Sequence, residues 1–225
     1  VYATKNQGYY YSRRFTKRFL GNSEKNEQDS PIRWQRGDIF FGLDMQHHVQ
    51  LVHQDFFYRL KQAGVTVKFL VHDLLPVQLS DYFKDANSKE LHEQWLAMIA
   101  ELDGAICVSK ATTEEFGRWL NEKGISRSPT FHISWVHNGA DMECVHPSQG
   151  LPEDAKSLLA TFQQCLTMLC VSTIEPRKKQ QQILEAVERL WDKGTKINLV
   201  LVGHQGWNVE TLAKKIRHHP EQGKR

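Results

Sequence analysis

Leu166-Thr167-Met168-Leu169-Cys170-Val171-Ser172-Thr173-Ile174-Glu175-Pro176-Arg177-Lys178-Lys179 runs from an apolar stretch, through Ser and Thr, into a basic step. Leu166–Val171 has the length and side chains of a buried strand, and Ser172-Thr173 ends it. From Lys179 to Asp192 the apolar residues Ile183, Leu184, Val187, Leu190 and Trp191 recur at helical spacing. Ile197–Val202 is a second apolar strand run. Strand, amphipathic helix and strand in this order form a βαβ unit, whose strands pair in parallel.

The same alternation extends in both directions. Strands are expected at Asp38–Leu43, Val65–Val71, Gly104–Val108 and Phe131–Val136, all as buried runs. Helices are expected at His47–Ala63, Ser88–Leu102, Thr112–Glu122, Pro152–Gln164 and Val209–His218, several behind Ser, Thr or Asp caps. The expected fold is α/β, a parallel doubly wound architecture repeated in two Rossmann-like domains. The helical and strand pattern breaks at Asp141–Pro152, so the boundary is placed near residue 147, giving domains 1–147 and 148–225. Gly21–Ser30 is polar and aperiodic and reads as a disordered surface loop. The chain opens on Val1 and closes on His218–Arg225 just past a helical pattern, so both ends read as cut and both domains as incomplete.

Composition narrows the function classes. The chain has 225 residues, 40% hydrophobic and 24% charged, as in globular domains. A net charge of +3 makes no field that would gather nucleic acid, although a local basic cluster can still grip a phosphate. Cys107, Cys144, Cys165 and Cys170 include no CxxC pair, which points to reduced thiols and a cytoplasmic setting. No apolar run approaches the ~20 residues that span a bilayer. There is no GxGxxG after a strand and no GxxxxGK[ST], which argues against dinucleotide oxidoreductases, nucleotide-sugar epimerases and P-loop NTPases. No Asp-x-Asp stands at a strand end and the histidines form no HExxH, so no metal site is expected.

Four strand ends carry candidate chemistry. Arg177 and Lys178 precede a helix, whose free N–H groups and dipole favour an anion; a cation there opposes the dipole and gains its reason from a bound diphosphate. The alternative is a solvated basic turn. His72 and Asp73 end the Val65–Val71 run, where His72 could donate to a substrate hydroxyl and Asp73 could orient it, or both are merely strand-end and turn residues. Asn138-Gly139 reads either as a tight positive-φ turn or as the mouth of an interdomain cleft. In Gly203-His204-Gln205-Gly206-Trp207, the glycines allow close backbone approach to a ligand, and Trp207 is either pocket wall or core.

Taken together these blocks resemble the family 4 retaining glycosyltransferases, and among them the bacterial mannosyltransferase-like group acting on O-antigen and other surface polysaccharides. That group's GTIEPRK, GDVFLGLD, VYDLLP, CVS and GAD blocks are matched by Ser172–Lys178, Gly37–Asp44, Val71–Pro76, Cys107–Ser109 and Gly139–Asp141. The resemblance covers nearly the whole chain and implies a GT-B fold, with the acceptor on the first domain and the nucleotide-sugar on the second. It implies Lys178 and His72 as catalytic residues, and Thr173, Arg177 and Lys178 as donor-diphosphate ligands. It puts Asp44, Asp73, Ser109, Asn138, Gly139, Asp141, Glu175, Gly203, Gly206 and Trp207 along the cleft. The implied donor is a nucleotide-diphosphate sugar, GDP-mannose first, with no cofactor and no metal. The implied acceptor is a glycan or lipid-linked oligosaccharide, with peripheral contact at the inner membrane. Ser172-Thr173 stands where many members have Gly-Arg, leaving Arg177 to take over that arginine's role. The family's downstream EGFGLPLIEA block and its first strand and glycine-rich loop are expected outside this chain. A Rossmann-like fragment that binds a nucleotide or a partner protein without transferring sugar is the alternative reading.

Overall fold

The computed structural model describes residues 1–21, 28–140 and 153–224. They divide into two compact units, Val1–Ser80 with Ala86–Gly139, and Asp81–Asp85 with Ala140–Arg225. The boundary expected near residue 147 lies outside the described residues, as does most of the Gly21–Ser30 loop.

The first unit opens with an antiparallel hairpin, β1 (Tyr2–Thr4) and β2 (Gln7–Tyr10), followed by α1 (Arg13–Phe19). Then come β3 (Ile39–Gly42), α2 (His47–Gln50), a 3-10 turn at Leu51–His53, α3 (Gln54–Gln62), β4 (Thr66–Val71), α4 (Leu75–Gln78) and α5 (Ser88–Ala100). β5 (Gly104–Cys107), α6 (Lys110–Glu122) and β6 (His132–Trp135) complete it. The expected helix His47–Ala63 is interrupted at the 3-10 turn, where the His53 Nε2 lies 2.7 Å from the Thr4 carbonyl of the hairpin.

Strands β3, β4, β5 and β6 form one parallel sheet in that order. Every crossover steps the same way along the sheet, and right-handed crossovers in one direction lay their helices on one face. Burial agrees with that. Val67, Phe69 and Val71 of β4 are fully buried with Phe57 of α3, Trp95, Leu96 and Ile99 of α5, and Phe116 and Leu120 of α6. Thr66, Lys68 and Leu70 on the other face are half-buried. The four strands thus carry no reversal of order.

The second unit contains α7 (Ala155–Gln163), β7 (Leu166–Val171), a 3-10 turn at Pro176–Lys178, α8 (Gln180–Asp192), β8 (Ile197–Val202) and α9 (Glu210–Arg217). β7 and β8 pair in parallel from Leu166↔Ile197 to Val171↔Val202. Leu184, Val187 and Trp191 of α8 pack with Ile197, Val209 and Leu212, and the Trp191 indole N–H donates to the Ile197 carbonyl at 2.8 Å.

The expectation of uniformly buried strands needs correction. Leu166, Leu169 and Val171 of β7 are 70%, 64% and 67% exposed, and Ile39 of β3 is 70% exposed. An apolar run shows that a strand could be covered, whereas burial depends on how many neighbours flank it, and β7 has a single strand neighbour among the described residues. Cys107 is buried as expected, while Cys170 is only partly so. No helix among the described residues is long and apolar enough to cross a membrane.

Candidate functional site

In each unit the residues singled out above gather at the carboxyl edge of a parallel sheet, the edge where open α/β sheets receive ligands.

In the second unit, the turn after β7 keeps pairing with the chain after β8. Ser172 N–H donates to Val202 O at 2.9 Å, Ile174 N–H to His204 O at 3.0 Å, and Gly206 N–H to Ile174 O at 2.9 Å. This close approach explains both glycines. A Cβ on Gly203 would fall on the Ser172 carbonyl, and one on Gly206 would lie 2.8 Å from the Ile174 carbonyl oxygen.

Gln180, 1% exposed, holds the turn from inside. Its carboxamide nitrogen donates to Ser172 Oγ at 2.9 Å and Thr173 O at 2.8 Å, and its oxygen accepts from the Glu175 N–H at 3.4 Å. Sequence reasoning passed over this residue. The signal was available, because a Gln that opens a helix directly after a polar turn can bridge back into it.

The two cations of the expected clamp are in different situations. Arg177 donates through Nη2 to Glu175 Oε1 at 2.6 Å, and its guanidinium carbon stands 6.0 Å from the Phe83 ring centroid. Glu175 is 4% exposed, so part of the guanidinium charge is committed to a carboxylate that needs it. Arg177 Nε is buried without an acceptor. Lys178 ends the 3-10 turn and is exposed. Lys179 adopts a left-handed φ of 57° at the N-terminus of α8, donates to the Tyr82 hydroxyl at 2.8 Å and lies 4.3 Å from that ring's centroid. No side chain caps α8 and no acidic residue occupies its first turn, so its first N–H groups remain unpaid by the helix. Trp207 is half-buried and donates its indole N–H to Tyr82 O at 2.9 Å, which makes it a strut of the turn.

In the first unit, Asp44 follows β3, His72 and Asp73 follow β4, Ser109 follows β5, and Asn138 and Gly139 follow β6. Asp73 accepts from the Leu75 N–H at 3.0 Å through Oδ1, so it caps the turn before α4. Its carbonyl lies 3.1 Å from Nε2 of His92, and Nδ1 of His92 lies 2.8 Å from Nε2 of His47. Burial pushes the pKa of both histidines down to about 4, and the neighbouring His92 further opposes protonation of His47. The pair was visible as residues and missed as a pair. His72 is half-buried, and its carbonyl receives the Thr112 hydroxyl at 3.5 Å.

The local setting of two further groups of these residues is plain. Ser109 is the N-cap of α6, its Oγ accepting from the Thr112 N–H at 3.1 Å, which accounts for the serine structurally. Asn138 and Gly139 are exposed, neither has a positive φ, and a Cβ on Gly139 would meet nothing, so the tight turn anticipated there is absent. Asp141 lies outside the described residues.

No model of a known protein family matches the chain. Three curated proteins of Escherichia coli, each a serotype-specific mannosyltransferase WbdA, align with all of it at 34% identity. The chain spans 28%, 28% and 27% of their lengths. A solved α,α-trehalose-phosphate synthase (UDP-forming) from Burkholderia vietnamiensis covers 79% of this chain and 40% of its own, with a TM-score of 0.46 and 13% identity. That likeness is too distant to bear on the reading of the site.

Proposed function

We propose that the chain is the acceptor-side and early donor-side portion of a GT-B hexosyltransferase that moves mannose from GDP-mannose to a glycan or lipid-linked acceptor with retention. The observation that carries the proposal is the 34% identity to mannosyltransferases over the whole chain. It is joined by the open Lys178 beside the uncapped start of α8.

In this reading the donor diphosphate sits against the first N–H groups of α8, with Lys178 as a point charge. As the sugar C1–O bond breaks, negative charge grows on the departing phosphate, and a fixed ammonium and helix N-terminus stabilise that charge more than the ground state. No metal takes part. The acceptor hydroxyl oxygen forms the new bond to C1 on the face the diphosphate leaves, and its proton passes to the leaving phosphate oxygen. His72 contacts the transferred sugar as a hydrogen-bond donor, and Thr173 contributes to the phosphate site. Arg177, already joined to Glu175, supports the turn more than it grips the anion. The enzyme works in the cytoplasm, against the inner membrane where a lipid-linked acceptor is presented.

The test is calorimetric titration of the 225-residue chain with GDP, GDP-mannose, UDP and UDP-glucose. Guanine nucleotides are expected to bind, and Lys178→Ala to weaken them about tenfold or more, the scale of one charge-assisted contact. Binding that is indifferent to Lys178 overturns the assignment of the turn. Absence of binding by the folded chain favours the second reading, a partner-binding fragment, which the Arg177–Glu175 pairing supports because it withholds one cation from the anion.

A further inference from the structure

Helix α1, seven residues long, buries none of its residues. A helix that short is marginal in water unless packing holds it, so its surface asks for another reason. Phe15 and Phe19 are 69% and 79% exposed, and Leu20, just past the helix, is 65% exposed. The two phenylalanines stand four residues apart on one face, their ring centroids 6.2 Å apart and their planes nearly parallel. Single exposed apolar side chains are ordinary on a protein surface, whereas a stacked aromatic pair is a patch.

The positive charge is equally local. Arg13, Arg14, Lys17 and Arg18 all lie in the helix, which contains no Asp or Glu. Arg13, Arg14 and Arg18 are exposed, and Arg14 and Arg18, four apart, flank the phenylalanine face. The Arg13 guanidinium lies 5.1 Å from the Tyr11 ring centroid, and the Tyr11 hydroxyl donates to the carbonyl of Arg33 at 3.0 Å. Asp29 opposes this charge, accepting from the Arg14 N–H at 3.1 Å and the Tyr2 hydroxyl at 3.2 Å. Over residues 13–29 as a whole, five Lys and Arg stand against three Asp and Glu, so the stretch stays basic.

This combination selects the class of partner. At 69% and 79% exposure the rings stand clear of any groove, a form that suits a deformable surface better than a peptide of fixed shape. In an anionic bilayer, phenyl rings enter the boundary between headgroups and acyl chains, arginine stems lie along it, and guanidiniums pair with lipid phosphates. We propose that α1 is a membrane-surface element, laying Phe15 and Phe19 into the headgroup region of an anionic bilayer with Arg13, Arg14 and Arg18 on the lipid phosphates. The contact is interfacial, since no helix among the described residues is long and apolar enough to cross a membrane. Its use in reaching a lipid-linked acceptor rests on the transferase reading above, whereas lipid binding rests on α1 alone.

Flotation of the 225-residue chain with vesicles of phosphatidylcholine, alone or with about one-third phosphatidylglycerol, tests this, with GDP titration run alongside. The chain is expected to float with the anionic vesicles and at least about tenfold less with the neutral ones. A Phe15→Ser, Phe19→Ser variant and an Arg14→Gln, Arg18→Gln variant should each lose anionic-vesicle binding at least about tenfold. All four side chains are exposed, so circular dichroism should show both variants folded. No flotation by the folded wild-type chain, or flotation that persists in the folded phenylalanine variant, overturns the proposal. Flotation lost in both variants but without GDP binding would sink the donor reading and leave the lipid contact standing, and GDP binding without flotation would do the reverse.

Discussion

His92 sets the chemistry of the turn that bears His72 and Asp73. It is fully buried, with the Asp73 carbonyl at one ring nitrogen and His47 at the other. A carbonyl only accepts, so Nε2 of His92 carries the proton, Nδ1 accepts, and Nε2–H of His47 donates to it. Protonating His92 at Nδ1 would set two donors face to face in a buried place. Asp73 and Glu93 are the carboxylates that favour charge on this pair, His48 the neighbour that opposes it, and burial outweighs them, leaving both pKa values at about 4. The unfolded chain protonates these imidazoles near the ordinary value of about 6.5. Between those two values the unfolded state binds protons that the folded state refuses, so unfolding becomes easier as pH falls. Stability from this source is complete above about pH 6.5 and declines toward pH 4, by on the order of 2 kcal/mol. Urea unfolding at pH 7.5, 6 and 5 should show the decline, and His47→Gln should flatten it. An unchanged pH slope in that variant would remove the pair from the account.

Elements show which sequence signals carry structure. β7 and β8 have the bounds expected from their apolar runs, Leu166–Val171 and Ile197–Val202, because β-branched and long apolar residues end abruptly at Ser172 and Gly203. α6 starts at Lys110, earlier than the apolar period suggests, because the cap at Ser109 and not the first apolar residue decides where a helix begins. Ser109→Ala should therefore cost about 1 kcal/mol in urea unfolding, with Ser109→Asp recovering most of it. A loss well below that would mean Thr112 and its bond to the His72 carbonyl hold the helix start unaided. The hairpin β1–β2 escaped notice because it has no apolar run: Tyr9 faces Phe40, Phe56 and Phe57, while Tyr2 and Tyr10 pair outside, so its pattern is aromatic and local. The turn after β7 was legible as a cluster of residue types. Its internal wiring was not, since the choice of Arg177 for Glu175, and of Gln180 for Ser172 and Thr173, depends on backbone geometry that neighbouring letters do not encode.

Across the whole molecule the two units differ in how well their sheets are enclosed. In the first, β4 and β5 each have strands on both sides, and the core joins Val67, Phe69, Val71, Ala105 and Cys107 to three helices. In the second, the sheet among the described residues has two strands, so β7 keeps one edge unpaired and its apolar side chains largely exposed. Two strands are marginal without a packed helix, and here α8 supplies the packing through Leu184, Val187 and Trp191. Local opening follows such differences, since an amide exchanges at the cost of breaking the contacts that cover it. Amides of β4 and β5 should therefore exchange with solvent deuterium slowest in the chain, and those of β7 at least about tenfold faster. Within the second unit, β8 should be slower than β7, because Ile197 and Asn198 are 4% and 5% exposed where Leu166 is 70% exposed. GDP, if it binds at the turn between β7 and α8, should slow exchange there and leave β4 and β5 untouched, because a ligand stabilises the state it binds. Equal protection of β7 and β4 in the free chain would show that the enclosed sheet is not the more stable one, and the order of burial would then have to yield to another source of stability.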